Sequence, residues 1–129
     1  MTGAANKCAL FSAVRGFGLY RSRMPILETF LSVGWKVVIA TTGDEYTDTL
    51  KSSGCIHEPV PFERGGFSIA KDGQAYLKLR QIFREHEPEL VHLFHAKPVI
   101  LGGIASGSNH DRKLVCTITG LGSTYQHSK

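Results

Sequence analysis

Two histidines three residues apart, His92 and His95, flank the end of the apolar run Leu90-Val91-His92-Leu93-Phe94, just ahead of Lys97-Pro98. Along a strand this spacing turns the two side chains to opposite faces, so they are poor joint ligands for one metal ion. His92 reads as a structural histidine. His95 emerges where the strand ends, and it is either an acid or base, since imidazole titrates near neutrality, or an uninvolved residue. Lys97 opens the following helix, where a cation beside free backbone N–H groups suits a phosphate or carboxylate; the alternative is a solvated lysine. Arg64, next to Gly65-Gly66, either grips an anion through its planar guanidinium or is an exposed loop arginine. Thr119 precedes Gly120-Leu121-Gly122, which either lets a backbone approach a ligand closely or is a turn.

Several familiar sites are excluded by what surrounds these residues. Gly16-Phe17-Gly18 is followed by Leu19-Tyr20-Arg21, so the third glycine of a dinucleotide fingerprint is missing. There is no GxxxxGK[ST] phosphate loop, no HExxH, and no acidic cluster at the end of the first strand to hold an ion. No DxD pair occurs either, which disfavours a metal-dependent nucleotide-sugar site. No metal site and no resident cofactor are expected.

The elements that must position these groups alternate between strand and helix. Cys8 to Val14 predicts a buried strand, with Arg15 to Gly18 as a glycine-containing loop after it. A helix follows, capped by Ser22, with Pro25 in its first turn and Ile26, Leu27, Phe30 and Leu31 at helical spacing until Gly34. Trp35 to Thr41 predicts a second strand; the turn Thr42-Gly43-Asp44 then opens a helix running to about Ser53. Cys55 to Phe62 contains Pro59 and Pro61, so a third strand fits only as a short element near a sheet edge. From Asp72, the stripe Ala75, Leu79, Ile82, Phe83 predicts a helix ending before Pro88. Leu90 to Phe94 is the fourth strand, Pro98 to Ser106 a small-residue helix, and Lys113 to Ile118 the fifth strand.

Such alternation implies right-handed βαβ units and a Rossmann-like α/β fold: a three-layer αβα sandwich on a parallel sheet of about five strands, expected in the order 3-2-1-4-5. Ligands gather beyond the carboxyl ends of such strands, at the switch point between the first and fourth, and that rule selects the loops named above. The 129 residues are enough for one domain with a real core, and 42% hydrophobic and 20% charged residues are ordinary globular usage. The net charge of +4 comes from scattered lysines and arginines without a basic block, so nucleic acid is not an expected partner. Three cysteines, with Cys8 and Cys116 in apolar runs as small hydrophobes, favour a reducing compartment. With no span of ~20 apolar residues and no leader before the first strand, the expectation is a cytoplasmic protein. Arg15, Arg21 and Arg23 offer peripheral contact with anionic membrane.

Five short motifs add a resemblance. Arg23-Met24-Pro25, Gly34-Trp35-Lys36-Val37, Pro88-Glu89-Leu90-Val91-His92, Ala96-Lys97-Pro98 with Gly102-Gly103, and Thr117-Ile118-Thr119-Gly120-Leu121-Gly122 come in the order and spacing of family 4 glycosyltransferases. The set, from about Lys7 to Tyr125, is similar to bacterial enzymes that build lipopolysaccharide, capsule or exopolysaccharide. The resemblance implies one half of the two-domain B-type (GT-B) fold: residues 1–129 as a single N-terminal, acceptor-side domain that stops short of its usual end. It implies retaining transfer from a nucleotide sugar, often a UDP-sugar that is substrate rather than cofactor, to a lipid-linked or saccharide acceptor at the cytoplasmic face of the membrane. A C-terminal donor-binding domain, or a separate chain in its place, would be the partner. Gly16, Gly18, Gly120 and Gly122 would lie near the donor phosphates, and Arg64, Lys97 and Thr119 near acceptor or phosphate. Many members place a catalytic histidine at the position that Phe94 occupies here, which leaves His95 as its substitute only if the strand ends one residue differently.

Two readings of other classes compete. One is a non-catalytic domain or binding subunit that pairs with a separate catalytic chain, which exposed apolar residues around Gly120 to Tyr125 would support. The other is a fragment of a nucleotide-binding oxidoreductase, against which the incomplete glycine fingerprint counts.

Overall fold

Strands covered by helices on both faces bury nearly every residue, and the first six of Cys8–Arg15, strand β1, are all buried. The computed structural model describes residues 7–63, 68–107 and 112–118. Along them β1 is followed by α1 (Gly16–Ser32), β2 (Lys36–Thr42), α2 (Thr47–Ser52), β3 (Ile56–Pro59), α3 (Ile69–His86), β4 (Leu90–Phe94), α4 (Ala96–Ala105) and β5 (Lys113–Thr117). Every pairing is parallel and the order is β3-β2-β1-β4-β5, the expected Rossmann-like arrangement. The core lies in two layers. Leu10, Val38, Ala40, Val91 and Leu93 meet Leu79, Ile82, Phe83 and Leu101 of α3 and α4. Ala9, Phe11, Ala13, Val37 and Ile39 meet Leu19, Leu27 and Leu50 of α1 and α2 on the other face.

One expected loop is absent. The chain passes from Arg15, still extended at φ −131°, straight into α1 at Gly16, so Ser22 caps nothing and Pro25 sits in the helix interior. The cause is Asp44, whose carboxylate accepts the Phe17 N–H at 3.0 Å and so satisfies a first-turn donor that a local cap would otherwise take. A Cβ on Gly16 would come within 2.9 Å of Asp44 Oδ1 and 3.2 Å of Leu50 Cδ1, so glycine is there for close packing, not for a flexible turn. Interior proline removes one helix hydrogen bond. Its own carbonyl accepts from Thr29 Oγ1 at 2.8 Å.

The other boundaries shift less. α3 starts at Ile69, ahead of Asp72, because the Ser68 side chain accepts the Lys71 N–H and the Asp72 carboxylate accepts the Ser68 N–H at 2.9 Å. It ends at His86, with Glu87 as its C-cap at a left-handed φ of 46° before Pro88. α4 starts at Ala96, which puts Pro98 in the first turn where no donor is lost. β3 is a short edge strand, as its prolines require. At the opposite edge Lys113, Leu114, Val115 and Cys116 of β5 are all exposed, so Cys116 is not the buried small hydrophobe expected of it. Cys8 and Cys55 are buried, and burial raises both thiols, Cys55 to about 11, which keeps them protonated. Among the described residues no helix is long and apolar enough to cross a membrane.

Candidate functional site

Pairing of Ala9 with Leu90 through Ser12 with Leu93 sets the carboxyl ends of β1 and β4 side by side, with α1 and α4 beginning there. This is the switch point of the sheet. His95 is the N-cap of α4 at φ 73°, ψ 164°, a conformation that costs a residue with a side chain about 1–3 kcal/mol. Two backbone bonds hold it: its N–H donates to the Thr117 carbonyl at 3.0 Å, and its carbonyl accepts the Val99 N–H at 3.0 Å. The imidazole is thereby turned to the first turn of α1, where Nε2 lies 3.7 Å from the place a Gly18 Cβ would occupy. Burial, then the positive charge of Arg23, holds the His95 imidazole below its ordinary pKa, so at neutral pH it is uncharged and able to accept a proton.

Hollows lie on both sides of this histidine. A cleft of about 450 Å3 is lined by Arg15, Phe17, Gly18, Glu63, His95 and Lys97. A smaller one of about 220 Å3 is lined by Gly18, Ser22, Arg23, Phe94 and His95. Phe94 is buried, its ring 4.9 Å from the Arg23 guanidinium and stacked at 4.1 Å on His92. His92 Nε2 is in turn 2.8 Å from Thr117 Oγ1, a packed and partnered environment. A cleft of about 550 Å3 among Arg80, Arg84, Glu87, Glu89 and Arg112 lies instead at the amino ends of β4 and β5. Parallel sheets do not bind ligands at that end, so the His95 cleft is the better candidate.

Lys97 is neither solvated nor turned outward. It is buried, with Nζ 2.9 Å from Asp72 Oδ1, and the ion pair ties the first turn of α4 to the first turn of α3. The Lys97 hydrogen bond, then that of the Ser68 N–H, holds the Asp72 carboxyl below the usual carboxylate range. Gly16 is walled by Asp44, whose side chain is 1% exposed and whose Oδ2 lies 3.5 Å from Arg15 Nε. The start of α1 therefore already holds an anion of its own, and of the two glycines Gly18 is the one that borders both hollows. Arg64, Thr119, Gly120 and Gly122 lie outside the described residues.

Asp44 and Asp72 were missed as site-building residues. From local sequence the two read only as a turn and a helix start, because their partners lie 27 and 25 residues away. For Asp72 the reciprocal cap with Ser68 is one residue longer than the Ser-x-x-Glu spacing by which such caps are read from sequence. For a metal, the described residues offer one grouping, Glu58, Glu85 and His86, with ligand atoms within 4.8 Å of one another. It sits at the far end of α3 from Asp72, and His86 Nε2 already bonds Glu58 Oε2 at 2.7 Å.

A family model described as glycosyl transferase 4-like matches residues 7–129. No curated protein matches significantly in sequence. Among solved structures, CalG4, the calicheamicin glycosyltransferase, is similar over 95% of this chain and 36% of its own, with a TM-score of 0.68 and 17% identity. Acinetobacter baumannii MurG is similar over 86% of this chain and 34% of its own, with a TM-score of 0.66 and 15% identity. The C-terminal domain of a hydrogenase from Pyrococcus furiosus has a TM-score of 0.60 at 14% identity, over 86% of this chain and 90% of that domain. At such identities the likeness is one of fold. The chain spans about a third of the length of CalG4 and of MurG.

Proposed function

The chain belongs to the glycosyl transferase 4-like family, and from that premise we propose that it is the acceptor-side half of a retaining glycosyltransferase. The donor is a nucleotide sugar, of the UDP-sugar class, gripped by a second domain or a separate chain. The acceptor is a saccharide or a lipid-linked saccharide of cell-surface polysaccharide synthesis, met at the cytoplasmic face of the membrane.

The observation that carries this reading is His95: uncharged, held in a left-handed N-cap, and facing Gly18 across the switch point of the sheet. In that place the imidazole accepts a hydrogen bond from an acceptor hydroxyl and aims its oxygen at the donor carbon, while Gly18 leaves the space a side chain would fill. The cleft of about 450 Å3 falls in the range of small-molecule sites. Lys97, which lines the cleft beside His95, is paired with Asp72 and so helps to fix the turn that presents His95.

The test is transfer of radiolabelled sugar from UDP-glucose, UDP-galactose and UDP-N-acetylglucosamine to a membrane extract, by the chain together with its donor-binding half. His95→Ala should lower kcat by roughly a hundredfold or more with folding retained. Unchanged turnover removes His95 from the site.

A second reading, a non-catalytic subunit that docks a separate catalytic chain, has its own support. Ile100 and Ile104 of α4, Leu114 and Val115 of β5, and Ile118 form an exposed apolar surface at one sheet edge, suited to further polypeptide. The absence of transfer by any assembly that contains the chain would favour it.

A further inference from the structure

Phe17 lines the His95 cleft and also borders a neighbouring hollow of about 550 Å3, where Tyr20, Arg21, Glu28, Tyr46 and Ser53 make up most of the wall. Three aromatic rings lie together there. Tyr20 and Tyr46 are stacked with centroids 5.0 Å apart, Phe17 meets Tyr46 at 5.3 Å, and the Arg21 guanidinium lies 5.9 Å from the Phe17 ring. None of the three belongs to either core layer, and Phe17 and Tyr20 stay 43% and 40% exposed. Core packing therefore does not account for them. A cluster of rings held at the surface beside a cleft is a recognition feature.

The chemistry of the rim narrows the ligand. A pyranose has a face of C–H groups and an edge of hydroxyls; the C–H face suits the negative face of an aromatic ring, and the hydroxyls need mixed donors and acceptors. Glu28, Arg21, Ser53 and the two phenol groups supply both kinds. An anionic lipid surface would be drawn to Arg15 and Arg21 but repelled by Glu28 and by Glu45, whose side chain is 73% exposed. We infer that the hollow walled by Phe17, Tyr20 and Tyr46 is a saccharide subsite, in which one sugar ring of an oligosaccharide acceptor stacks while the reacting hydroxyl reaches the His95 cleft on the other side of Phe17. The word acceptor rests on the transferase reading; saccharide binding does not.

The isotope-labelled chain titrated with cellotriose, chitotriose and maltotriose, followed by amide shifts, tests the subsite. At least one trisaccharide should give saturable shifts at Phe17, Tyr20, Arg21 and Tyr46. Tyr20→Ala and Tyr46→Ala should each weaken it roughly three- to tenfold, whereas Tyr20→Phe, which keeps the ring, should weaken it less. No saturable response to any of the three sugars overturns the subsite, as do shifts that persist in both alanine variants. A response of the same residues to phosphatidylglycerol vesicles without a response to sugar overturns it in favour of a membrane contact. In the transfer assay, Tyr20→Ala should raise the acceptor KM and leave kcat nearly unchanged; an unchanged KM counts against the subsite. Failure of the wild-type assembly to transfer any sugar strikes the transferase reading alone, because the titration decides the subsite by itself.

Discussion

The β1–α1 and β4–α4 junctions share one plan, a strand running into a helix without a loop, yet their helix starts are put to opposite uses. At α1 the first turn is closed by the carboxylate of Asp44, brought in from the end of β2 and braced by Arg15. At α4 the N-cap residue, His95, lends no side-chain cap. There Lys97 turns inward to Asp72 of α3, and His95, bent into positive φ, faces the cleft. Equivalent positions in a repeated βα unit are thus closed by a distant carboxylate in one copy and border a cleft in the other. What separates them is a single carboxylate per junction, one laid over the helix start and one laid beneath it.

Lys97→Met breaks the comparison hardest, since it leaves the Asp72 carboxylate buried with only the Ser68 N–H beside it. It should lower the urea midpoint more than any other substitution named in this paragraph. Lys97→Met combined with Asp72→Asn should recover much of the loss, and a double variant no better than the single would mean that the pair is not the source. Asp44→Ala comes next, with an expected cost of about 1–2 kcal/mol for a lost helix cap. Gly16→Ala should be tolerated far better in the Asp44→Ala background than alone, because Asp44 Oδ1 is the atom its Cβ would strike at 2.9 Å. Simple additivity would show that the wall around Gly16 is made by something else.

The smallest effect is on pH dependence. His92 and His95 both have folded-state pKa values lowered by burial and by Arg23, so the unfolded chain takes up protons first as the pH falls. Their contribution is complete above about pH 7 and declines as the pH drops through 6.5, the ordinary histidine value. Arg23→Met should raise both titration midpoints, read from the imidazole proton shifts, and flatten that decline. Midpoints that do not move would separate Arg23 from the site.

Much of the frame was legible because it depends on neighbours along the chain. Leu90 to Phe94 reads as a strand from five residues, and its observed bounds are the same. The short edge character of β3 follows from Pro59 and Pro61, and the parallel pairing from the alternation of elements, which does not by itself fix the order β3-β2-β1-β4-β5. What misled was glycine. Gly16 and Gly18 suggest a loop when only local propensity is weighed, whereas the helix start is paid for by Asp44 across 27 residues. The burial of Lys97 is hidden for the same reason, since its partner Asp72 lies 25 residues back. The Phe17, Tyr20 and Tyr46 cluster was also invisible, since one ring comes from a separate loop.

The position of β1 in the middle of the sheet has a consequence for how the molecule is made. β1 is synthesised before both of its partners and can pair early with β2, yet its other edge waits until Leu90 to Leu93 have been made. Until then an apolar strand edge stands open, the kind of surface that seeds aggregation and slows folding when contacts are distant in sequence. His95 and Gly18 come within reach only when that last gap closes. The cleft is therefore among the latest features to form, and a nascent chain stalled before Phe94 would carry an open strand edge and a cleft without His95.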